Sequence, residues 1–581
     1  MSLKPNGMYE TRVEGIGPGA LYGFKIDGTG PFPDPASRFQ PRGVHGPSQV
    51  LGASEFSWAD DNFLAPPLRD LSIYELHIGA FTPEGTFRGA IGKLDALREL
   101  GVNVVEIMPI AEFPGQRNWG YDGVSPYAPT HNYGAPDDLR ALVREAHRRG
   151  IAVCLDVVYN HLGPDGAYHS TFAPQFYSAK HKTPWGDGLN YDSEGREKVR
   201  AYFIESALAW IRDYHIDGLR ADAIDTIQDD SNPSFLAELT ERLHSLGREL
   251  GREVFLIAED ARNQRKVVLP PEQGGLGFDV VWADDFHHHI RHRLAGDNEG
   301  YYCDFDGTAE HIAETVRKGW FFTGQFAQYW GRERGTSPQG LSPQSRLFCI
   351  QNHDQIGNRA FGERLSTQIS LPTYFAASAL LLLSPEIPML FMGQEWAAPE
   401  PFLYFTDHNR EVGRLVTEGR RREFEHFAGF TDETRRDRIP DPQAEDTFLH
   451  SKLDWARRQA PEHAACLNWY QALFQIRKKL LQTATFHSSR ALNDKIVLVE
   501  WQSSGGSLSF VAALEGPAEA SDAAWQNRKL ILSSEDALPA AMRRPASWNA
   551  AARGLEFQQP GAVLLASGDL NLLQESRPND R

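Results

Sequence analysis

The sequence is short of cysteine, of long apolar runs and of positive charge, and each shortage removes a class of protein. Four cysteines in 581 residues, Cys154, Cys303, Cys349 and Cys466, form no CxxC pair. That spacing argues against a disulfide framework and for thiols kept reduced. Cys154 and Cys349 stand inside apolar segments, where a free thiol behaves as a small hydrophobe. The longest apolar run, Phe375–Leu383, is followed by Ser384, Pro385 and Glu386. It is too short to span a bilayer and reads as a buried helix. The opening MSLKPNGMYE offers no apolar leader, so a cytoplasmic location is expected. With 59 Lys and Arg against 77 Asp and Glu, the net charge is −18. That balance speaks against nucleic acid or an anionic membrane as partner and leaves a neutral substrate open. No internal repeat and no low-complexity tract breaks the chain.

Two apparent ligand motifs lose their meaning in context. Gly15–Ala20, GIGPGA, fits a dinucleotide fingerprint on paper, but Pro18 interrupts it and a strand-like run follows where a helix is needed. It reads as a turn joining YETRVEG to LYGFKIDG in a hairpin. The run His287–His289, with His292, invites a zinc reading. Consecutive histidines on a strand or loop point in different directions, and no HExxH spacing is present. No metal or cofactor is expected.

What the chain does have is regular alternation of short apolar runs and amphipathic stretches. Runs at Leu71–Ile78, Val102–Met108, Ile151–Tyr159, His215–Ala223, Val254–Ala258, Phe278–Trp282, Leu347–Asn352 and Met389–Met392 read as eight strands buried on both faces. Between them Ala90–Leu100, Pro136–Arg149, Arg196–Tyr214 and Ser234–Leu250 read as helices. The pattern predicts an α/β fold, a (β/α)₈ barrel over 69–485. An irregular insertion at about 162–196 and a helical and loop extension at about 396–482 belong to it. Residues 1–68 are rich in Gly and Pro and read as a partial β-sandwich module. Residues 486–581 carry KIVLVEW, LSFVAAL, RKLILSS and GAVLLA between Gly/Ser turns, the pattern of a C-terminal antiparallel β-sandwich.

Four of the strands turn polar at their C-terminal ends: DVVYNH (Asp156–His161), GLRAD (Gly218–Asp222), FLIAE (Phe255–Glu259) and QNHD (Gln351–Asp354). In a barrel that end carries the active site. Arg220 and Asp222, two residues apart on one strand, point to the same face, and the guanidinium favours an ionised Asp222 fit to be a nucleophile. Glu259 follows an entirely apolar run; desolvation suits it to stay protonated as a general acid. Asp354 supplies a third carboxylate, Asp156 is placed to support Arg220, and His161 to donate to a hydroxyl. Three carboxylates on one rim suggest acid–base and covalent chemistry on a neutral substrate, with glycoside cleavage the first candidate. Asn160 could ligate calcium, but no further oxygen ligands accompany it.

In this order and spacing the four blocks resemble the α-amylase superfamily, over roughly residues 70–480. The resemblance implies Asp222 as nucleophile, Glu259 as acid/base and Asp354 as transition-state stabiliser. Arg220, His161 and His353 match its accessory polar residues, and Tyr121 in WGYDG its sugar-stacking tyrosine. YELHIGAFTPEGTF, WADDFHHH, QNHDQIGNRAFGERL and MGQEWAA look like the narrower malto-oligosyltrehalose trehalohydrolase family. That family releases trehalose from trehalose-capped malto-oligosaccharides. Its substrate-contacting segments map onto Asp225, Asp284, Asp285, Phe286, His287, His288, Gln355 and Asn358. Members usually begin with a complete β-sandwich, of which residues 1–68 resemble the latter half. A branching or debranching enzyme of the same superfamily shares the three carboxylates; a non-catalytic carbohydrate binder on this fold would be expected to lose them.

Overall fold

Eight short strands close into a parallel barrel in the computed structural model, which describes residues 1–4, 7–52, 56–425, 427 and 431–567. They are β1 (Ile73–Leu76), β2 (Val104–Ile107), β3 (Ala152–Val157), β4 (Gly218–Ala221), β5 (Phe255–Ala258), β6 (Val280–Trp282), β7 (Arg346–Cys349) and β8 (Ile387–Phe391). Neighbours pair in chain order, and β8 returns to β1 with Met389 opposite Ile73. Each falls on a run read as a strand, with β7 and β8 beginning a residue or two earlier.

The period of two sorts side chains between lumen and outer wall. Ile73, Val104, Cys154, Ile257, Val280, Leu347 and Met389 fill the lower lumen, closed from below by Phe63, Ala65 and Leu68. The same faces turn polar one step higher, at Glu75, Glu106, Asp156 and Arg220, all buried. Gly218 is required by this packing. A Cβ there would meet the Phe255 ring at 2.3 Å, far inside van der Waals contact.

The helices cover the outside. Helix α1 (Leu94–Leu100) is the second half of the expected Ala90–Leu100, because Gly92 closes a first short helix, Phe87–Ile91. Then come α2 (Pro136–His147), α3 (Arg196–Tyr214) and α4 (Phe235–Leu250). Ser234 caps α4 by accepting the Ala237 N–H, and Gly251 at φ +66° ends it. Between β5 and β6 the described chain forms only two 3₁₀ turns, Arg265–Val267 and Pro271–Gln273. Pro270 and Pro271 cannot donate to a helix there. After β6 come α5 (Asp285–Ala295) and α6 (Ala309–Lys318), and after β7 comes α7 (Leu371–Leu383). Helix α7 is apolar all round because it is covered all round. Phe375 stacks on Trp469 of α8 (Pro461–Thr483) at 5.7 Å, and Trp501 donates to the Leu383 carbonyl at 3.0 Å.

Trp501 belongs to a five-stranded antiparallel sheet formed by β9 (Ala484–Asn493), β10 (Ile496–Ser503), β11 (Gly506–Ala513), β12 (Lys529–Ser533) and β13 (Gly561–Ala566), in the order β9-β10-β11-β13-β12. A three-stranded sheet faces it, and Leu498, Val511, Leu565, Leu555 and Phe557 share one core between the two. Residues 568–581, expected to belong here, lie outside the described residues.

Three local expectations are corrected. YETRVEG does not pair with LYGFKIDG: Tyr9–Glu10 pairs with Ser2–Leu3, and Leu21–Tyr22 with Ser48–Gln49. Between them Val13 and Ile16 are exposed and Gly15 and Gly19 take positive φ, so no strand with a face to bury can form. The insertion is not wholly irregular, since Tyr177–Thr183 and Gly186–Leu189 make a hairpin with Trp185 at its tip. The basic run Gly419–Glu423 lies on the helix Arg410–Glu423, but it is not all solvated. Arg420 is buried and donates to the carbonyls of Gly357 (2.6 Å) and Arg359 (2.9 Å), tying the extension to the rim after β7. Among the described residues no helix is long and apolar enough to cross a membrane.

Candidate active site

The sheet's own hydrogen bonding runs past the strand ends into the acids. The Asp222 N–H donates to Val157 O (3.1 Å) and the Glu259 N–H to Ala221 O (3.0 Å), so both carboxylates sit on rigid backbone. The chain then bends at Ala223, which takes φ +39°. A left-handed alanine is an uphill conformation, and here its N–H reaches Glu259 Oε2 at 2.8 Å.

Arg220 lies beneath both acids with its side chain fully buried. Its Nη1 donates to Asp156 Oδ2 (2.7 Å) and Asp222 Oδ1 (2.9 Å), and its Nη2 to Glu259 Oε2 (2.7 Å). The Trp282 ring supports the guanidinium from 4.3 Å. One planar cation therefore fixes both carboxylates, and its geometry limits their separation to within about 8 Å. Asp222 also accepts at Oδ2 from Asn160 Nδ2 (2.7 Å), so both of its oxygens are acceptors. Glu259 differs: among the described residues Oε2 holds two donors and Oε1 none. Burial pushes its carboxyl well above the usual range; Asp222 and Asp354 add to this and Arg220 opposes it.

Access separates the three candidate acids from Asp156. The side chains of Asp222, Glu259 and Asp354 are 10%, 23% and 32% exposed, whereas Asp156 is at 2%. Asp156 accepts the Tyr121 hydroxyl proton at 2.7 Å, and burial raises it to about 6. Tyr121 is half-buried, stacks on His353 with centroids 5.2 Å apart, and has its hydroxyl 2.8 Å from His353 Nε2. Asp354 accepts from Asn358 Nδ2 (3.1 Å) and lies 3.5 Å from His353 Nε2. His161 faces the Tyr121 carbonyl (2.9 Å) and Asn160 Oδ1, and the Trp185 ring stacks on it at 4.6 Å. Burial lowers its pKa.

The remaining sequence candidates divide. Gln355, half-buried, accepts the hydroxyls of Tyr301 (2.9 Å) and Tyr302 (3.3 Å), and His288 stacks on Tyr301 at 4.7 Å. Asp225, in the turn Ile224–Thr226 after β4, and Asp284, just before α5, are half-buried on the same rim. Burial raises both, Asp284 to about 6. Asp285, expected to read sugar hydroxyls, and Phe286, expected among the substrate-contacting residues, are buried and make their contacts within the fold. Asp285, fully buried, accepts from Asn263 Nδ2 (2.6 Å) and the Phe321 N–H (2.8 Å) and pairs with the buried Arg334 (2.9 Å). Phe286 stacks on Phe348 of β7 at 4.7 Å. The helical period of α5 turns these two positions inward. His287 is buried as well, with Nδ1 3.0 Å from His288 Nδ1.

The histidine run thus lies on a helix and not on a strand or loop. His289 takes the Gly307 N–H (3.3 Å), away from the His287–His288 contact. Asn160 is engaged at both ends of its amide, with Oδ1 facing His161 and Nδ2 donating to Asp222. Among the described residues, His181 and Asp192 of the insertion and Asp230 of the segment between β4 and α4 have ligand spacing. The Lys180 ammonium already contacts both of those carboxylates, which supplies their counter-charge.

Sequence reasoning missed Glu75 and Glu106. Both are buried acids inside short apolar strands, on adjacent positions of β1 and β2. The available signal was a single charge at an inward position of a strand otherwise buried on both faces. Trp282 was placed on a strand, but its role beneath Arg220 has no sequence signature.

Comparison with known proteins agrees with this geometry. Residues 49–187 match the family model described as Alpha amylase, catalytic domain. The malto-oligosyltrehalose trehalohydrolase of Deinococcus radiodurans is 48% identical over 483 residues, covering 82% of this chain and 77% of that protein. The protein of the same name from Saccharolobus solfataricus is 41% identical over 480 residues, covering 82% and 81%. A solved structure of a candidate alpha amylase from Salmonella typhimurium superposes with TM-score 0.84 at 36% identity, covering 96% of this chain and 91% of that one.

Proposed function

The chain belongs to the malto-oligosyltrehalose trehalohydrolase family, glycoside hydrolases of the α-amylase superfamily, and from this premise we propose that it cleaves the α-1,4 bond next to the terminal trehalose of trehalose-capped malto-oligosaccharides. Trehalose and a malto-oligosaccharide are the products. The observation that carries the proposed roles is the asymmetry of the two acids on one guanidinium: Asp222 accepts at both oxygens, while Glu259 keeps Oε1 open and a raised pKa.

In the first step Glu259 Oε1 gives its proton to the glycosidic oxygen as Asp222 attacks the anomeric carbon. The C–O bond breaks, trehalose leaves, and the glycosyl group is held as an ester on Asp222. Glu259, now ionised, takes a proton from water, whose oxygen displaces Asp222 and restores both acids. Asp354, beside the charged end of His353, is placed to stabilise the cationic sugar. Tyr121 offers its ring face, and His161 and Gln355 border the cleft.

Incubating the protein with trehalose-capped maltopentaose and, separately, with amylose tests the reading. Free trehalose from the first and no new α-1,6 branches in the second are expected. Branch formation would assign the site to a transferase, and neither free trehalose nor new branches would point to a debranching enzyme.

A further inference from the structure

Below the three partly accessible acids a hydrogen-bonded chain descends to Glu75, a carboxylate that is 1% exposed. His353 Nδ1 lies 2.5 Å from Glu75 Oε1, and the His353 backbone N–H donates to Glu75 Oε2 at 2.9 Å. On the other side of the ring, Nε2 lies 2.8 Å from the Tyr121 oxygen, which is 2.7 Å from Asp156 Oδ2. Two oxygens that close need a proton between them. Arg220 already donates to Asp156 Oδ2, which makes Asp156 the acceptor and the tyrosine the donor. The Tyr121 oxygen is then left to accept: Arg220 Nη1 donates to it at 3.4 Å, and the 2.8 Å contact with Nε2 requires an N–H on Nε2. Nδ1, facing a carboxylate, must carry a proton as well.

We propose that Glu75 is a positioning residue: by accepting from both the ring and the backbone of His353 it holds that histidine as a doubly protonated imidazolium. The Nε2–H then locks Tyr121, and the positive charge faces Asp354. The proposal deepens the functional reading given above, on which its kinetic part rests. The groups around the ring are Glu75 from β1, Glu106 from β2, Tyr121 and Trp119 from the loop after β2, Asp156 from β3, Arg220 from β4, Trp282 from β6 and Asp354 beside it. His77 senses the charge from the loop after β1. Burial and Arg220 work against the imidazolium, while Asp354 and Glu75 together raise it to about 10. Glu106 contributes little charge of its own, since burial and then Glu75 push its carboxyl well above the usual range.

The test uses the full chain with ¹⁵N-labelled histidine, His353 being assigned by its loss in His353→Asn. The ring of His353 should show two protonated nitrogens at about pH 8 in the wild type, whereas in Glu75→Gln one proton should leave near the ordinary value of about 6.5. The ratio of Glu75→Gln to wild-type kcat/KM on trehalose-capped maltopentaose should then fall about tenfold between roughly pH 5.5 and pH 8. Glu106→Gln, which stands beside Glu75 but removes no hydrogen bond of this network among the described residues, should retain both ring protons and a ratio that does not change with pH. A singly protonated His353 in the wild type at about pH 8 overturns the proposal even if Glu75→Gln fails to fold. So does an unchanged titration in Glu75→Gln, or a rate ratio independent of pH, either of which would make Glu75 a packing residue. Failure to release trehalose would defeat the substrate assignment, and the nitrogen titration would still decide the role of Glu75.

Discussion

At the scale of the residue, two carboxylates on neighbouring strands are differentiated by what their oxygens hold. Asp222→Ala removes the proposed nucleophile and leaves Arg220 paired to Asp156 and Glu259. Turnover should fall by about 10⁴-fold or more with circular dichroism unchanged, and turnover near wild type would exclude Asp222 from the mechanism. Glu259→Gln removes the proton donor. Because burial raises Glu259, the wild-type rate should decline on the alkaline side as that proton is lost, and Glu259→Gln should be about 10²–10⁴-fold slower and lack that decline. A variant that retains the wild-type alkaline limb would assign it to another group. These acids were legible in the sequence because each ends an apolar run, and period two put Arg220 and Asp222 on one face. Glu75 was not, because a lone acid inside a strand does not announce its partner. That partner, His353, is 278 positions away.

At the scale of the element, the short strands aim the chemistry. Gly218 opens β4 only because the Phe255 ring occupies the space of a side chain, lying 2.3 Å from where a methyl group would stand. Gly218→Ala should cost about 1–3 kcal/mol from overpacking. By moving the strand that ends in Asp222 it should lower kcat more than it raises KM. Thermal melting and steady-state rates check this, and an unaltered melting temperature would mean that β5 yields freely. Strands were readable at this scale because burial on both faces leaves continuous apolar runs. Loops were not. The turn residues of α5 looked like a strand-end loop, and the helix that forms there buries Asp285 and Phe286 while leaving Asp284 on the rim. Nor did composition reveal that the β5–β6 connection has no helix, although Pro270 and Pro271 were visible in it.

At the scale of the whole molecule, the barrel carries an unusual load of buried ionisable groups. Burial raises Glu395 to about 7 and Glu386 to about 8, and His353 is raised to about 10 by its carboxylate neighbours against burial. Each folded-state pKa lies above its unfolded value. The stability each contributes is therefore complete below the unfolded pKa and is lost as pH rises through the folded one. The urea midpoint should fall between about pH 7 and pH 10, as Glu386 and then His353 lose their protons; a flat or rising midpoint would contradict the buried-charge account. We propose that the units of the chain divide near residues 68 and 485. Trp501 joins the C-terminal sheets to α7, and Arg477 of α8 donates to the carbonyls of Leu382, Ser384 and Glu386 at the end of α7 and before β8. Composition suggests those borders, whereas the pairing within the first 49 residues depended on partners that local pattern does not specify. The central claim is that Asp222 and Glu259 face one sugar and act in sequence through a covalent intermediate, which requires carboxyls about 5–5.5 Å apart. Proton NMR of the first products from trehalose-capped maltopentaose tests it most directly: free trehalose with the new reducing end initially in the α configuration is the predicted result, and an initial β anomer would contradict it.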